Sequence, residues 1–309
     1  MILTITPNPA LDVTYDVERL VPCESHRVLS VQELAGGKGI NVASVLHLLG
    51  LDVLATGVVG GPTGEQVRAD LDRRGIPHRF ARAASPTRRT TTVVSREDGE
   101  ATAFNEPGWP WPDDAWTALL DHVAALLDEH PVRVLVASGS LPPGVPEHAF
   151  ADLTRVGREA GAAVVVDASR AALLAALPAA PDVVKPNRDE LFGVTGVDDP
   201  IEGAKMLQEK GAQHVVVSLG ADGLVAVAPS GAVVKARLGD RLRGNATGAG
   251  DAAVAALAHA LDSGAAWASG VADAVAWSAA AVLQPTAGSV DLGDIDRLRA
   301  AVRVETVED

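Results

Sequence analysis

The chain has 309 residues, 47% of them hydrophobic, and a formal net charge of -14 from 26 Lys and Arg against 40 Asp and Glu. Its length suits one α/β unit with an ample core, and an aromatic share of 3% leaves the packing to aliphatic side chains. Acidity without a basic run excludes a nucleic-acid or anionic-lipid surface, and the single cysteine, Cys23, excludes an internal disulfide and points to a reducing cytoplasm.

Met1 to Pro7 has neither a basic leader region nor a long apolar run, so it reads as a first strand, Ile2 to Thr6. Further strands are expected at Val53 to Val59, Val132 to Ala137, Ala163 to Asp167, Val183 to Lys185, Val215 to Ser218 and Leu224 to Ala228. Helical segments alternate with them: Gly39 to Leu49, Gly64 to Arg74, Asp113 to Glu129, Pro146 to Ala160, Arg188 to Phe192, Ile201 to Lys210, Ala249 to Ser263, Ala265 to Leu283 and Leu292 to Val302. The alternation predicts a mainly parallel sheet with helices on both faces. Ala265 to Leu283 is the most apolar late segment, but Asp273 interrupts it and alanine dominates it, which suits a packed helix better than a membrane span.

Two segments break the alternation. Val13 to Leu34 and Arg88 to Asn105 each read as a strand pair joined by polar residues, which predicts a small β lid of about 13–34 and 88–105 within a single domain of residues 1–309. No internal repeat or low-complexity linker is present, and Pro107 to Pro112 reads as a loop leaving the lid.

The chemistry concentrates in two glycine-rich stretches. Asn245-Ala246-Thr247-Gly248-Ala249-Gly250-Asp251 runs into an apolar helix, which puts Asp251 in the first turn. Free N–H groups and the macrodipole there favour an anion such as a phosphate, and a carboxylate at the same place can take a proton from an attacking hydroxyl. A capped glycine loop is the plain alternative. The second stretch, Gly36-Gly37-Lys38-Gly39-Ile40-Asn41, also enters a helix, and Asn41 can offer a donor and an acceptor to sugar hydroxyls. It is not a Walker A loop.

Together these stretches resemble the two signatures of the PfkB carbohydrate kinases, the ribokinase-like family. Thr6 to Asp12, Thr87-Arg88, Asn105 to Gly108, Ser138 to Gly144, Lys185 to Glu190 and Ser218 to Gly223 extend the resemblance to the family's phosphosugar branch. It implies a three-layer α/β/α fold and an ATP- and Mg2+-dependent transfer to a ketohexose phosphate. Fructose 1-phosphate is the first choice of acceptor, giving fructose 1,6-bisphosphate; tagatose 6-phosphate and fructose 6-phosphate are the alternatives. Asp251 would be the base, with the amides of Gly248, Ala249 and Gly250 around the transferred phosphoryl group. Asp12, Gly37, Lys38, Asn41, Asn105 and Ser138 would face the sugar, and Arg27 and Arg88 would clamp its phosphate, with Arg89 the alternative if the strand register shifts by one. Lys185, Asn187, Ser218, Gly220 and Gly223 would serve the nucleotide, and Asn187 with Glu190 the Mg2+, partly through water. An N-cap asparagine with a capping glutamate is the plain reading of that last pair.

The usual DTxGAGD is altered here at Asn245 and Ala246, Ala252 follows the acid where a serine is common, and no second basic residue precedes Arg27. The eight histidines show no ligand spacing, so no zinc-type site is expected. Apolar lid edges suggest a homodimer through the lids. Two other classes are disfavoured: a dinucleotide-binding dehydrogenase would carry GxGxxG after the first strand, and a non-catalytic sugar-phosphate sensor would need neither Asp251 nor the Asn187 and Glu190 pair.

Overall fold

A computed structural model describes residues 1–112 and 114–307. In chain order the elements are β1 (Ile2–Thr6), β2 (Ala10–Val17), β3 (Ser30–Gly36), α1 (Lys38–Leu48), β4 (Val53–Gly60), α2 (Gly61–Arg73), β5 (Ala81–Ala83), β6 (Arg88–Ser95), β7 (Ala101–Asn105) and α3 (Ala115–Glu129). Then come β8 (Val134–Ser138), α4 (Ala149–Glu159), β9 (Ala163–Asp167), α5 (Arg170–Ala176), β10 (Val183–Val184), α6 (Arg188–Thr195), α7 (Pro200–Glu209), β11 (His214–Ser218), β12 (Leu224–Val227) and β13 (Val233–Arg237). The last are α8 (Ala249–Ser263), α9 (Trp267–Val282), α10 (Leu292–Ala301) and β14 (Arg303–Val307). Asp113, the expected start of α3, lies outside the described residues.

β1 is buried at every position and sits inside a ten-stranded sheet of order β14-β13-β12-β11-β10-β9-β8-β1-β4-β5. Strands from β5 to β11 pair in parallel, while β11 to β14 form an antiparallel meander at one edge. Alternate side chains of each parallel strand enter opposite cores. Val136, Val165 and Val216 pack with α1, α2, α8, α9 and α10, whereas Leu135, Val164 and Val217 pack with α3 to α7. The expected three-layer α/β arrangement is therefore the one adopted. Among the described residues no helix is long and apolar enough to cross a membrane.

The lid is a second sheet of order β3-β2-β6-β7. It begins at Ala10, earlier than the sequence suggested, because β2 follows β1 after a three-residue turn. β2 pairs in parallel with β6, with Ala10 opposite Arg88 and Asp12 opposite Thr90. Four elements were not anticipated from the sequence: β5, α5, β13 and β14.

Candidate active site

The parallel strands deliver their carboxyl ends to one cleft, the position that open α/β sheets reserve for ligands. Asn8 follows β1, Gly139 and Ser140 follow β8, Asp167 ends β9, Lys185 and Asn187 follow β10, and Ser218 ends β11. The starts of α1 and α8 and the inner face of the lid close a cavity of about 460 Å³.

α8 supplies the acid. Gly248 is its N-cap at φ 83, a left-handed conformation that glycine adopts without strain, and a Cβ there would lie 2.8 Å from Ala287 Cβ. Among the described residues the amides of Gly248, Gly250 and Asp251 have no acceptor, whereas the N–H of Ala249 donates to Ala246 O at 3.2 Å. The amides open to an anion are thus those of Gly248, Gly250 and Asp251, and Ala249 is not among them because the turn into the helix uses its amide. Asp251 is buried and accepts from Asn41 Nδ2 at 2.8 Å. Burial first, and then the charge of Asp167, raise its pKa to about 7; Asn41, Lys38 and Lys185 pull the other way.

Beside it lies a group the sequence reading missed. Asp167 is buried and accepts from Lys38 Nζ at 3.2 Å and from Ser138 Oγ at 3.1 Å, with Lys185 Nζ 3.8 Å from its other oxygen. Burial works to raise its pKa, but the two lysines and these hydrogen bonds outweigh it and hold it below the usual range. Asp167 in turn keeps Lys38 protonated against its own desolvation. Two ammonium groups on one carboxylate leave positive charge facing the cleft. Ser138 is fully buried and turned to Asp167 and does not line the cavity, whereas its neighbours Gly139 and Ser140 do.

The lid supplies the opposite wall. Asp12, Arg88 and Thr90 share the face turned to the cavity. Gly36 makes room for Asp12, since a Cβ on it would fall 2.0 Å from Asp12 Oδ2. Burial raises the Asp12 pKa to about 6, opposed by Arg88 and by a hydrogen bond with Thr90. Arg88 is anchored by its Nε to Asn8 O at 3.2 Å and by Nη1 to Glu106 O at 3.1 Å. Arg88, and not Arg89, is the arginine of the cavity wall.

Arg27 and Asn105 do not join it either. Arg27 lies exposed in the unpaired loop between β2 and β3, and Asn105 is exposed at the end of β7. Neither lines the cavity within this chain, Arg27 lying outside the paired strands and Asn105 ending the lid's edge strand.

Asn187 and Glu190 do line it, and they also form the plain structure weighed above. Asn187 Oδ1 accepts from the Glu190 N–H at 2.8 Å and Glu190 Oε2 from the Asn187 N–H at 2.9 Å, a capping box on α6. Glu190 Oε1 stays outside that exchange. All-oxygen donors of this kind fit Mg2+, and with no cluster of three acid or imidazole ligands among the described residues the ion would keep most of its waters. A second cavity of about 400 Å³ adjoins, sharing Ser218 and Gly250 and walled by Gly220, Gly223, Leu242, Val275 and Val282. Its apolar walls suit the flat face of a base.

An anion-holding helix start, a buried base and a basic floor at the ends of a parallel sheet define a phosphotransferase with an alcohol group as acceptor. The chain belongs to the pfkB family of carbohydrate kinases, whose profile matches residues 7–292. It is 41% identical over 270 residues to a 1-phosphofructokinase of Xanthomonas campestris pv. campestris, covering 84% of this chain and 83% of that one. Escherichia coli phosphofructokinase-2, solved with potassium, superposes with a TM-score of 0.90 at 30% identity over 97% of this chain and 98% of its own. A Thermotoga maritima chain described as a possible 1-phosphofructokinase gives 0.86 at 30% identity over 99% of both.

Proposed function

We propose that the chain phosphorylates a ketohexose phosphate with ATP, taking fructose 1-phosphate to fructose 1,6-bisphosphate. The observation that carries this reading is the placement of Asp251 beside open amides and across one cleft from the Asp12 and Arg88 pair. Asp251 takes the proton of the C6 hydroxyl, the freed oxygen attacks the γ-phosphorus in line, and the bond to the ADP oxygen breaks. The amides of Gly248 and Gly250, with Lys38 and Lys185 held by Asp167, receive the charge that develops on the transferred group. Asp12 and Asn41 orient sugar hydroxyls, Arg88 grips the phosphate already present, and Ser218, Gly220 and Gly223 border the nucleotide. Asn187 and Glu190 would hold Mg2+ through water, and the ion would supply the positive charge that neutralises the triphosphate. The acidic chain works in the cytoplasm as a dimer joined through its lids.

The test is ADP release over fructose 1-phosphate, fructose 6-phosphate, tagatose 6-phosphate, free hexoses and nucleosides, with Asp251→Asn as blank. Preference for fructose 1-phosphate supports the proposal, preference for either 6-phosphate redirects it within the family, and turnover of free sugars alone removes the clamp. No turnover at all, with sugar phosphate still bound, makes the chain a sensor.

A further inference from the structure

The helix layer on one side of the sheet ends before the sheet does. α7 packs over β11 and β12, and beyond it the same face of β13 and β14 is open. β13 turns Val233 toward that layer and then, two and four residues on, Lys235 and Arg237. The antiparallel register sets Glu305 opposite Lys235 and Arg303 opposite Arg237. Between these strands and the start of α7 lies a cavity of about 360 Å³, also bordered by Asp199 and Asp222.

Like charges directly opposite on adjacent strands repel. Among the described residues neither the Arg237 nor the Arg303 side chain has a hydrogen bond or an ion pair. Two of the neighbouring acids are engaged elsewhere: Asp199 Oδ1 accepts from the N–H groups of Ile201 and Glu202, and Asp222 meets Arg241 at 3.5 Å; Glu305 stands opposite Lys235 in the register. Among the described residues no carboxylate comes within ion-pair distance of either guanidinium, so the donors of this arginine pair stay open to an anion from outside.

We propose that Arg237 and Arg303 form an anion site, separate from the catalytic cleft, for a phosphoryl group that is free or carried on a small metabolite. Two arginines opposite one another on paired strands and lining one cavity offer the forked donors that phosphate oxygens accept, and the cavity is of a size that holds such a molecule. The site lies on the outer face of the meander, with the Leu219 to Gly223 turn between it and the adjoining nucleotide-side cavity.

The test follows melting of the full chain while inorganic phosphate, and separately glycerol 3-phosphate, is titrated against the parent, R237Q, R303Q and R88Q. The catalytic cleft also takes phosphoryl groups, so its share of the response persists in R237Q and R303Q. The proposed site adds a component that both of these variants lose and R88Q keeps. Loss with phosphate alone assigns the free anion, and loss with the ester as well assigns a phosphorylated metabolite. In phosphate-free buffer of low ionic strength R303Q is expected to melt roughly 1–2 °C above the parent, since the repulsion is gone. A response to both anions as large in R237Q and R303Q as in the parent overturns the proposal. Melting does not depend on turnover, so this outcome is separate from that of the kinase assay.

Discussion

Asn41 Nδ2 donates to Asp251 Oδ2 at 2.8 Å, which joins the first turn of α1 to the first turn of α8 and aims the base into the cleft. The sequence offers Asn41 as a sugar contact; the geometry adds a second duty, because this amide fixes the carboxylate and favours its charged form. Asn41→Ala is therefore expected to lower kcat by about 10–100-fold, as small misplacements of a base do. It should also move the acid limb of the pH–rate profile above its starting value of about 7. A rise in KM alone, with kcat and the limb unchanged, would return Asn41 to sugar binding only.

The pH dependence of stability follows from the same acid. Asp251 has a folded pKa of about 7 against the ordinary 3.8, so between those values the folded chain binds the proton that the unfolded chain releases. Its ionised form therefore costs stability above pH 7, and the cost disappears as pH falls toward 4. Asp251→Asn is expected to be inactive yet more stable at pH 8, by an order of 2–4 kcal/mol, with the gain shrinking toward pH 4. Denaturant melts of both proteins at pH 8, 6 and 4.5 check this, and an equal gain at all three would show that burial of Asp251 is not the cause.

Gly248 and Gly250 separate structure from chemistry. A Cβ on Gly248 meets the backbone of Ala287 at 2.9 Å in a left-handed conformation, so Gly248→Ala is expected to lose stability as well as activity. A Cβ on Gly250 meets only Lys185 Nζ, at 3.5 Å. Gly250→Ala should keep the parent melting temperature within about 2 °C while kcat falls by about 10-fold or more, since the methyl stands where the phosphoryl group approaches. Full activity in Gly250→Ala would move the anion-holding set away from that amide.

These residues show which parts of the site sequence alone can supply. Asp251, Asn41, Asn187 and Glu190 sit in contiguous motifs at helix starts, where glycine spacing and capping chemistry are local. Asp167 lies in no such motif; it matters because β8, β9, β10 and α1 converge on it, which is a property of topology. The missed β14 has four exposed residues in Arg303 to Thr306, so no buried face imposes a period on it. The short β5 has no buried residue either. Arg27 and Asn105 enter through the resemblance, and a motif match fixes neither the direction of a loop nor the reach of a strand end.

Arg88 should act on the acceptor. Its guanidinium faces Asp12 and is held by two backbone carbonyls, so the charge is positioned before substrate arrives. Arg88→Gln is expected to raise KM for the sugar phosphate by about 10–100-fold with a smaller change in kcat and in KM for ATP. It also withdraws the charge that keeps the Asp12 pKa near 6 from rising further, so the variant should lose its remaining activity at a higher pH than the parent as acid is added. An unchanged KM would remove the clamp.

The lid leads to the last prediction. It leaves two strand edges unpaired, β3 and β7, and carries Val31 57% and Phe104 58% exposed, with Val28 and Leu29 exposed in and beside the loop that bears Arg27. Free edges and apolar side chains of this kind invite a second sheet, and a second copy of the lid is complementary to the first in both respects. Light scattering at micromolar concentration is expected to give twice the 31.7 kDa of one chain. Val31→Asp places a charge in that contact and should shift the equilibrium to monomer by at least 10-fold in Kd. The cleft residues Asp12, Arg88 and Asp251 come from one chain, so the monomer should retain the Asp251-dependent turnover, with any rise in KM measuring what the partner lid contributes. A parent chain that scatters as a monomer would leave the lid as a cover for its own cleft.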